Sequence, residues 1–281
     1  MEKSTKESGP RTLVNVLGIP GILAVVWLGE WWFLSFVWIV VILGIIEFKK
    51  LAEYQGGQPS LMVMLLLVST IIFNYKFNFI SNEIIILLSL LTYFSIELFS
   101  NKEKALLNVS CALFGTVWIG LMLGSMLAIR EIEYIGFELL LLMFLSIWAC
   151  DSAAFFFGKL FGKKKILPSV SPKKSWVGSI SGLVAAIIVS YGLYSTEINF
   201  SNYIDFGKIN KVFNIGDILF LGIIFGGFSQ LGDFGESLLK REAGIKDTSN
   251  ILQGHGGILD RFDSISFSAP VYYIYLMYTF N

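Results

Sequence analysis

Five polar residues recur at helical spacing where a hydrophobic stretch ends: Asp233, Glu236, Ser237, Lys240 and Arg241, at offsets 0, 3, 4, 7 and 8. That spacing puts them on one stripe of a helix. A carboxylate at the membrane end of a helix is costly unless it meets a cation or a metal ion. Lys240 and Arg241, one turn beyond Ser237, could hold phosphate oxygens, the arginine as a bidentate fork and the lysine as a point charge. An interfacial helix anchored to lipid headgroups would use the same two residues.

The run HGGILDRFDS follows. Asp260 and Asp263 are three residues apart and share a helix face, while Arg261 between them points elsewhere. Gly254, Gly256 and Gly257 surround His255, a loop able to bring backbone N–H groups close to an anion. Asp233 and Asp260 flank that loop on two different elements. Two carboxylates with basic groups nearby suit a Mg²⁺ site for phosphoryl chemistry, because Mg²⁺ takes one or two carboxylates and leaves its other positions to water and phosphate. A salt-bridge network of the same aspartates with Arg241 and Arg261 is the structural alternative. His255 could act as an acid or base or as a phosphate ligand.

A second cluster lies upstream. Asp151 sits within a hydrophobic stretch, which marks it as functional or as the partner of a basic group. Ser171-Pro172-Lys173-Lys174-Ser175-Trp176 offers hydroxyls and two ammonium groups just before a helix N-terminus, where anions are favoured. The run GKLFGKKK is not a phosphate-binding P-loop: its glycine spacing is one residue short and no strand precedes it. Lys163, Lys164 and Lys165 read as a topology signal and a contact with anionic lipid. Cys111 and Cys150 read as packing residues, and Glu83 and Glu97 as helix-end positions. A Ser237–His255 hydrolase lacks a nucleophile elbow.

The elements that must position these groups are membrane helices. Of the 281 residues 55% are hydrophobic and 15% charged, against about 25% charged in an average soluble domain; mean hydropathy is +0.70. One His and two Cys exclude a zinc framework or a disulfide scaffold. The 21 basic and 21 acidic residues cancel, so net charge points to no nucleic-acid partner. A spanning helix needs about 20 mostly apolar residues. Nine windows qualify: 13–28, 32–48, 61–77, 83–99, 105–129, 134–157, 177–194, 218–237 and 264–280. Gly29, Glu30 and Trp31 break the first two into a tight hairpin, and the polar cluster Asn74, Tyr75, Lys76 weakens the third. No small-residue cleavage pattern follows the first window, which argues against a cleaved signal peptide.

Loop charges orient the bundle, since cytoplasmic loops carry excess Lys and Arg. With nine spans and a cytoplasmic N-terminus, only Lys76, Arg130, Lys208 and Lys211 fall outside; the other 17 basic residues fall inside. The C-terminus is then outside. The expectation is an all-α polytopic membrane protein in which residues 1–133 form N-terminal hairpins. Residues 134–281 carry the chemistry on two cytoplasmic-face loops, 158–176 and 237–263. No internal repeat suggests an inverted-repeat transporter, and the outer loop 195–216 carries no functional signal.

The segment 237–263 resembles the signature of the phosphatidate cytidylyltransferase (CDP-diacylglycerol synthase) family. That pattern is S-x-x-K-R, four residues, K-D, an L-P-G-H-G-G-like loop, two residues and D-R-x-D. Here it reads SLLKR, EAGI, KD, TSNI, LQGHGG, IL, DRFD. QLGDFGES, WACDSAAFFFGKLFG and SPKKSW also resemble family segments, so the likeness runs from about Trp148 to the end. Two positions depart from it: Gln253 stands where Pro or Gly is usual, and Val177 where an acidic residue is common.

The resemblance implies transfer of CMP from CTP to phosphatidate, giving CDP-diacylglycerol and pyrophosphate. The phosphatidate oxygen would attack the α-phosphorus, with charge neutralisation and in-line positioning as the protein's main tasks. It implies Asp233 and Asp260 as ligands of one or two metal ions, Mg²⁺ first among them. Lys173, Lys174, Lys240 and Arg241 would lie on substrate phosphates, Ser237 would be an accessory ligand and His255 a supporting group. Asp151, Lys246, Asp247, Arg261 and Asp263 complete the expected substrate site. CTP, phosphatidate and membrane lipid are the expected partners, with room for a homodimer, and a bacterial inner membrane is the expected location. Two rivals stand beside this reading. A CTP-dependent enzyme acting on an isoprenoid lipid would share the nucleotide end. An ion-coupled transporter would use Asp151, Glu97 and Asp233 near the midplane and would not need a basic, glycine-rich loop.

Overall fold

The computed structural model describes residues 9–100, 103–196, 199–201, 204–249 and 256–280. In chain order α1 (Gly9–Leu28) and α2 (Glu30–Tyr54) are separated by Gly29 alone, then come α3 (Leu61–Phe77) and α4 (Asn82–Phe99). Helix α5 (Ala105–Gly115) runs through a π-helical turn (Thr116–Met122) into α6 (Leu123–Arg130), and α7 (Gly136–Phe161) and α8 (Trp176–Ser195) follow. A small antiparallel hairpin, β1 (Asn199–Ser201) and β2 (Ile204–Asp205), leads to the short α9 (Gly207–Val212). The long α10 (Ile215–Glu242) and α11 (Leu259–Phe280) complete the bundle.

Each of the nine apolar windows falls on a helix. Among the described residues six helices are long and apolar enough to cross a membrane: Glu30–Tyr54, Asn82–Phe99, Ala105–Arg130, Gly136–Phe161, Trp176–Ser195 and Ile215–Glu242. The bundle's exterior is apolar, with Trp32, Leu66, Leu98, Phe155 and Ile188 all more than half exposed. A soluble fold would not leave so much contiguous apolar surface to water, and the chain is an integral membrane protein.

Helix α3 matches window 61–77 to the residue, and the polar cluster Asn74, Tyr75, Lys76 lies within it. Asn74 accepts from and donates to the main chain of Ile80 (3.1 and 2.8 Å), and the Tyr75 hydroxyl donates to Leu121 O at 2.9 Å. Helix α10 runs five residues past window 218–237 to Glu242, and α7 runs four past window 134–157 to Phe161. Each expected inner loop therefore begins as helix.

Residues of α2, α6, α7, α10 and α11 share one buried cluster; Ile45, Leu123, Phe144, Phe225 and Ile265 are members. Within it α8 packs along α7, and α10 lies against both α8 and α11. At Gly232 α10 lies close against α11: a Cβ there would come within 2.3 Å of Asp263 O. Small residues at such crossings let membrane helices meet backbone to backbone. At the π-helical turn the Trp118 indole donates to Ser266 Oγ of α11 at 2.9 Å, tying the N-terminal helices to the C-terminal ones.

Candidate active site

One end of the bundle gathers the C-terminal parts of α7 and α10, the N-termini of α8 and α11, and the last turns of α2. Ser175 caps α8 by accepting from Gly178 N at 3.2 Å, which fixes Lys174 at the entrance to that helix. Lys174 Nζ lies 2.5 Å from Asp233 Oδ2 and 4.1 Å from the centroid of the Phe234 ring. Ser237, one turn along α10, approaches the other oxygen of Asp233 at 3.5 Å. Asp151 on α7 and Asp263 on α11 lie within electrostatic reach of Asp233 and of Lys174. Three carboxylates from three helices thus face one ammonium group. The surplus negative charge invites a further cation.

A second network lies beside the first. Lys240 Nζ donates to Glu236 Oε2 and to Asp260 Oδ1, both at 2.5 Å. The other oxygen of Asp260 accepts from Gly257 N (2.6 Å) and Thr248 N (3.2 Å), with Thr248 Oγ1 3.0 Å away. Glu236 is 1% exposed, and its Oε1 has no hydrogen-bond partner among the described residues. A buried, unpaired carboxylate oxygen is expensive and marks unfilled coordinating capacity at this end of the bundle.

The expected stripe on α10 is therefore present, with its roles divided differently. The ionic alternative drawn from the sequence paired the aspartates with Arg241 and Arg261; the cation on Asp260 is Lys240 instead. Arg241 reaches sideways and donates to Val170 O (3.2 Å) and Ile245 O (3.1 Å), bracing the two polar loops against each other. Its long side chain leaves the stripe because the carbonyls of both loops turn toward it. Lys173, Lys246, Asp247 and Arg261 are exposed around the same end. The Lys173 carbonyl accepts from Lys165 Nζ at 3.2 Å, and Lys165 and Ser175 form a bridge that closes the first loop into a tight turn. His255 and Gln253 lie outside the described residues.

Among the described residues no three His, Cys, Asp or Glu side chains converge closely enough to hold a metal ion alone. Magnesium does not ask for that, since it binds through one or two carboxylates together with substrate phosphates and water. An all-oxygen donor set with surplus negative charge is of the kind it takes. An apolar groove runs between α7 and α8, lined by Ala153, Phe157, Val177, Ile180, Val184 and Ile188.

Sequence reasoning missed Glu47. This α2 carboxylate is fully buried and accepts from Thr248, Ser249 and the N-terminus of α11. The signal was available: the criterion that singled out Asp151, a carboxylate inside an apolar window, applies equally to Glu47 at the end of window 32–48.

The chain is similar in sequence to known proteins. A phosphatidate cytidylyltransferase of Haemophilus influenzae is 43% identical over 139 residues, which is 50% of this chain and 46% of that protein. One of Staphylococcus haemolyticus is 29% identical over 272 residues, covering 95% of this chain and 98% of its own length. One of Staphylococcus aureus is 34% identical over 183 residues, 65% of each chain. The sequence model of the cytidylyltransferase family matches residues 9–279, nearly the whole bundle and every carboxylate and lysine of the two networks, and this chain belongs to that family.

Proposed function

We propose that the protein transfers CMP from CTP to phosphatidate, releasing pyrophosphate and forming CDP-diacylglycerol. The observation that carries this reading is the meeting of Asp233, Lys174, Lys240 and Asp260, from three segments of the family-matched chain, at one end of an apolar bundle. Phosphoryl chemistry of this kind needs little covalent help from the protein; it needs phosphates held in line and their charge offset. Lys174 and Lys240 supply fixed positive charge, and Lys173 and Arg241 stand at the rim for the outer phosphates. Ser237 offers a hydroxyl beside Asp233. Lys246, Asp247 and Arg261 border the nucleotide, and His255 has a supporting role. A phosphate monoester already presents a nucleophilic oxygen near neutral pH, so a general base is not required.

Asp233 and Asp260 would hold the metal, with Asp151 and Asp263 adding negative field behind them. Magnesium, when bound, supplies charge neutralisation on the phosphate oxygens. For Asp260 this requires Lys240 to turn from Oδ1 toward substrate phosphate. The acyl chains of phosphatidate would remain in the bilayer along the α7–α8 groove.

The finer topology belongs to the same proposal. Nine spans put the N-terminus and both polar loops on the cytoplasmic side, where CTP is found, and the C-terminus outside. The location is the inner membrane of a bacterium, and a homodimer is compatible with it.

Purified protein assayed for pyrophosphate release from CTP tests this directly. Activity is expected with phosphatidate, absent with an isoprenoid phosphate or alcohol, and lost on chelating Mg²⁺. Turnover only with the isoprenoid substrate would overturn the lipid assignment, and turnover in excess chelator would overturn the metal assignment.

A further inference from the structure

Glu47 is a carboxylate with no exposed surface on the α2 helix, about two hundred positions from the residues it binds. Its Oε1 accepts from Ser249 Oγ (2.6 Å) and Ile258 N (2.9 Å), and its Oε2 from Thr248 Oγ1 (2.9 Å) and Leu259 N (3.0 Å). Four donors match the roughly four lone-pair sites of an ionised carboxylate. Two of those donors are free N–H groups at the start of α11, where a negative charge is favoured by the helix dipole. Glu47 thus caps α11 from another helix and ties down the segment entering the 248–257 loop.

The contact with Asp260 is close. Thr248 Oγ1 lies within hydrogen-bonding distance of Glu47 Oε2 and of Asp260 Oδ2 (2.9 and 3.0 Å). Gly257 fills the space between the two carboxylates. Its N–H donates to Asp260 at 2.6 Å, and a Cβ there would fall 2.3 Å from Glu47 Oε2 and 2.1 Å from Thr248 Oγ1. Only glycine fits. Asp260 Oδ1, held by Lys240, is the oxygen whose placement this arrangement decides.

We propose that Glu47 is a positioning residue of the reaction: through Thr248, Gly257 and the α11 N-terminus it sets the place of Asp260. The proposal rests on the reading of Asp260 as part of the phosphate and metal site. It makes α2, outside the family signature, a working part of that site.

Glu47→Gln keeps the size of the side chain but turns an NH₂ group toward two of the four donors. The expected result is a 10–100-fold fall in kcat, the range seen when groups that orient ligands are lost. The Mg²⁺ requirement should rise, while the KM for phosphatidate stays within twofold. Thr248→Val should act in the same direction and more weakly. The double variant should be no worse than Glu47→Gln alone, since both changes cut the same connection. Effects that multiply independently would overturn the proposal, as would a Glu47→Gln protein with wild-type kcat and Mg²⁺ dependence.

Hydrogen exchange on the same proteins, without substrate, keeps the proposal separate from the catalytic reading. Glu47→Gln should speed exchange of the amides at Thr248 and from Gly257 to Leu259, and leave those of α7 and α8 unchanged. Unchanged protection at Thr248 and Gly257 would overturn the positioning role. A wild-type protein inactive with CTP and phosphatidate would instead overturn the catalytic reading, and the exchange result would still judge Glu47.

Discussion

The two ends of the bundle carry similar groups and use them in opposite ways. At the end where α6 turns into α7, the described buried and half-buried charged groups have partners, oppositely charged for Glu138 and Lys76 and main-chain carbonyls for Arg130. Glu138, almost fully buried, accepts from Lys208 Nζ (2.8 Å) and Asp205 N (3.3 Å). Lys76 pairs with Glu131 at 2.6 Å, and Arg130 Nε donates to Val26 O at 2.8 Å, closing the end of α1. These contacts fasten helices and loops together. At the opposite end Asp151, Asp233 and Asp263 share Lys174, while Glu236 keeps one buried oxygen without a partner among the described residues. A structure selected only for stability would not leave carboxylates in surplus. The difference between a closed set of ion pairs and an open one separates the fastening end from the end that takes a ligand.

The largest effect expected from breaking that contrast is at Asp233. Its side chain is 36% exposed, so Asp233→Ala should leave the melting temperature close to wild type while activity falls by about 10³-fold or more. Asp260→Ala should abolish turnover as well, and should also destabilise, because Lys240, Thr248 and Gly257 lose a shared acceptor. Pyrophosphate release and thermal melting, measured together, check both. Normal turnover in either variant would remove the metal assignment. Next in size is Lys240→Ala. It leaves Glu236 and Asp260 buried without their cation, at a cost of about 3–5 kcal/mol in stability. Lys174→Ala breaks the ion pair with Asp233, whose side chain is 36% exposed, and takes from Asp151 and Asp263 the cation they share with it. It should chiefly raise the KM for CTP, by about 10-fold for one lost charged contact of about 1.4 kcal/mol.

How much of this was legible in the sequence depended on the distance between interacting residues. The α10 stripe was legible because helical periodicity places Asp233, Glu236, Ser237 and Lys240 on one face whatever surrounds them. Helix positions followed from apolar windows, since a span's length is fixed by the bilayer; the C-terminal end of α10 did not, because Glu236–Lys240 pairing carries that helix onward after the apolar run has stopped. The diversion of Arg241 to Val170 O and Ile245 O depends on where two loops place their carbonyls, which no spacing encodes. Glu47 meets Ile258 and Leu259 across 211 and 212 positions. Only the cost of leaving a carboxylate in an apolar window could have drawn attention to it.

The smaller effects lie at the fastening end, where stability should change and chemistry should not. Lys208→Ala removes the cation from Glu138, whose side chain is 2% exposed. The remaining contact, from Asp205 N at 3.3 Å, is long for a charged acceptor, so the loss should be about 2 kcal/mol. It should appear as a lower melting temperature with kcat per folded molecule unchanged. Lys76→Ala breaks a pair whose members are 21% and 42% exposed. Such pairs give back in side-chain entropy and solvent screening most of what they gain, so about 0.5 kcal/mol or less is expected. The decisive measurement is the ratio of activity loss to stability loss across Asp233→Ala, Lys240→Ala, Lys208→Ala and Lys76→Ala. A large ratio at Asp233 with none at Lys208 and Lys76 separates the two ends by function. A kcat that falls in Lys208→Ala as far as in Lys174→Ala would mean that the two ends are mechanically coupled, and that the fastening contacts also set the geometry of the site.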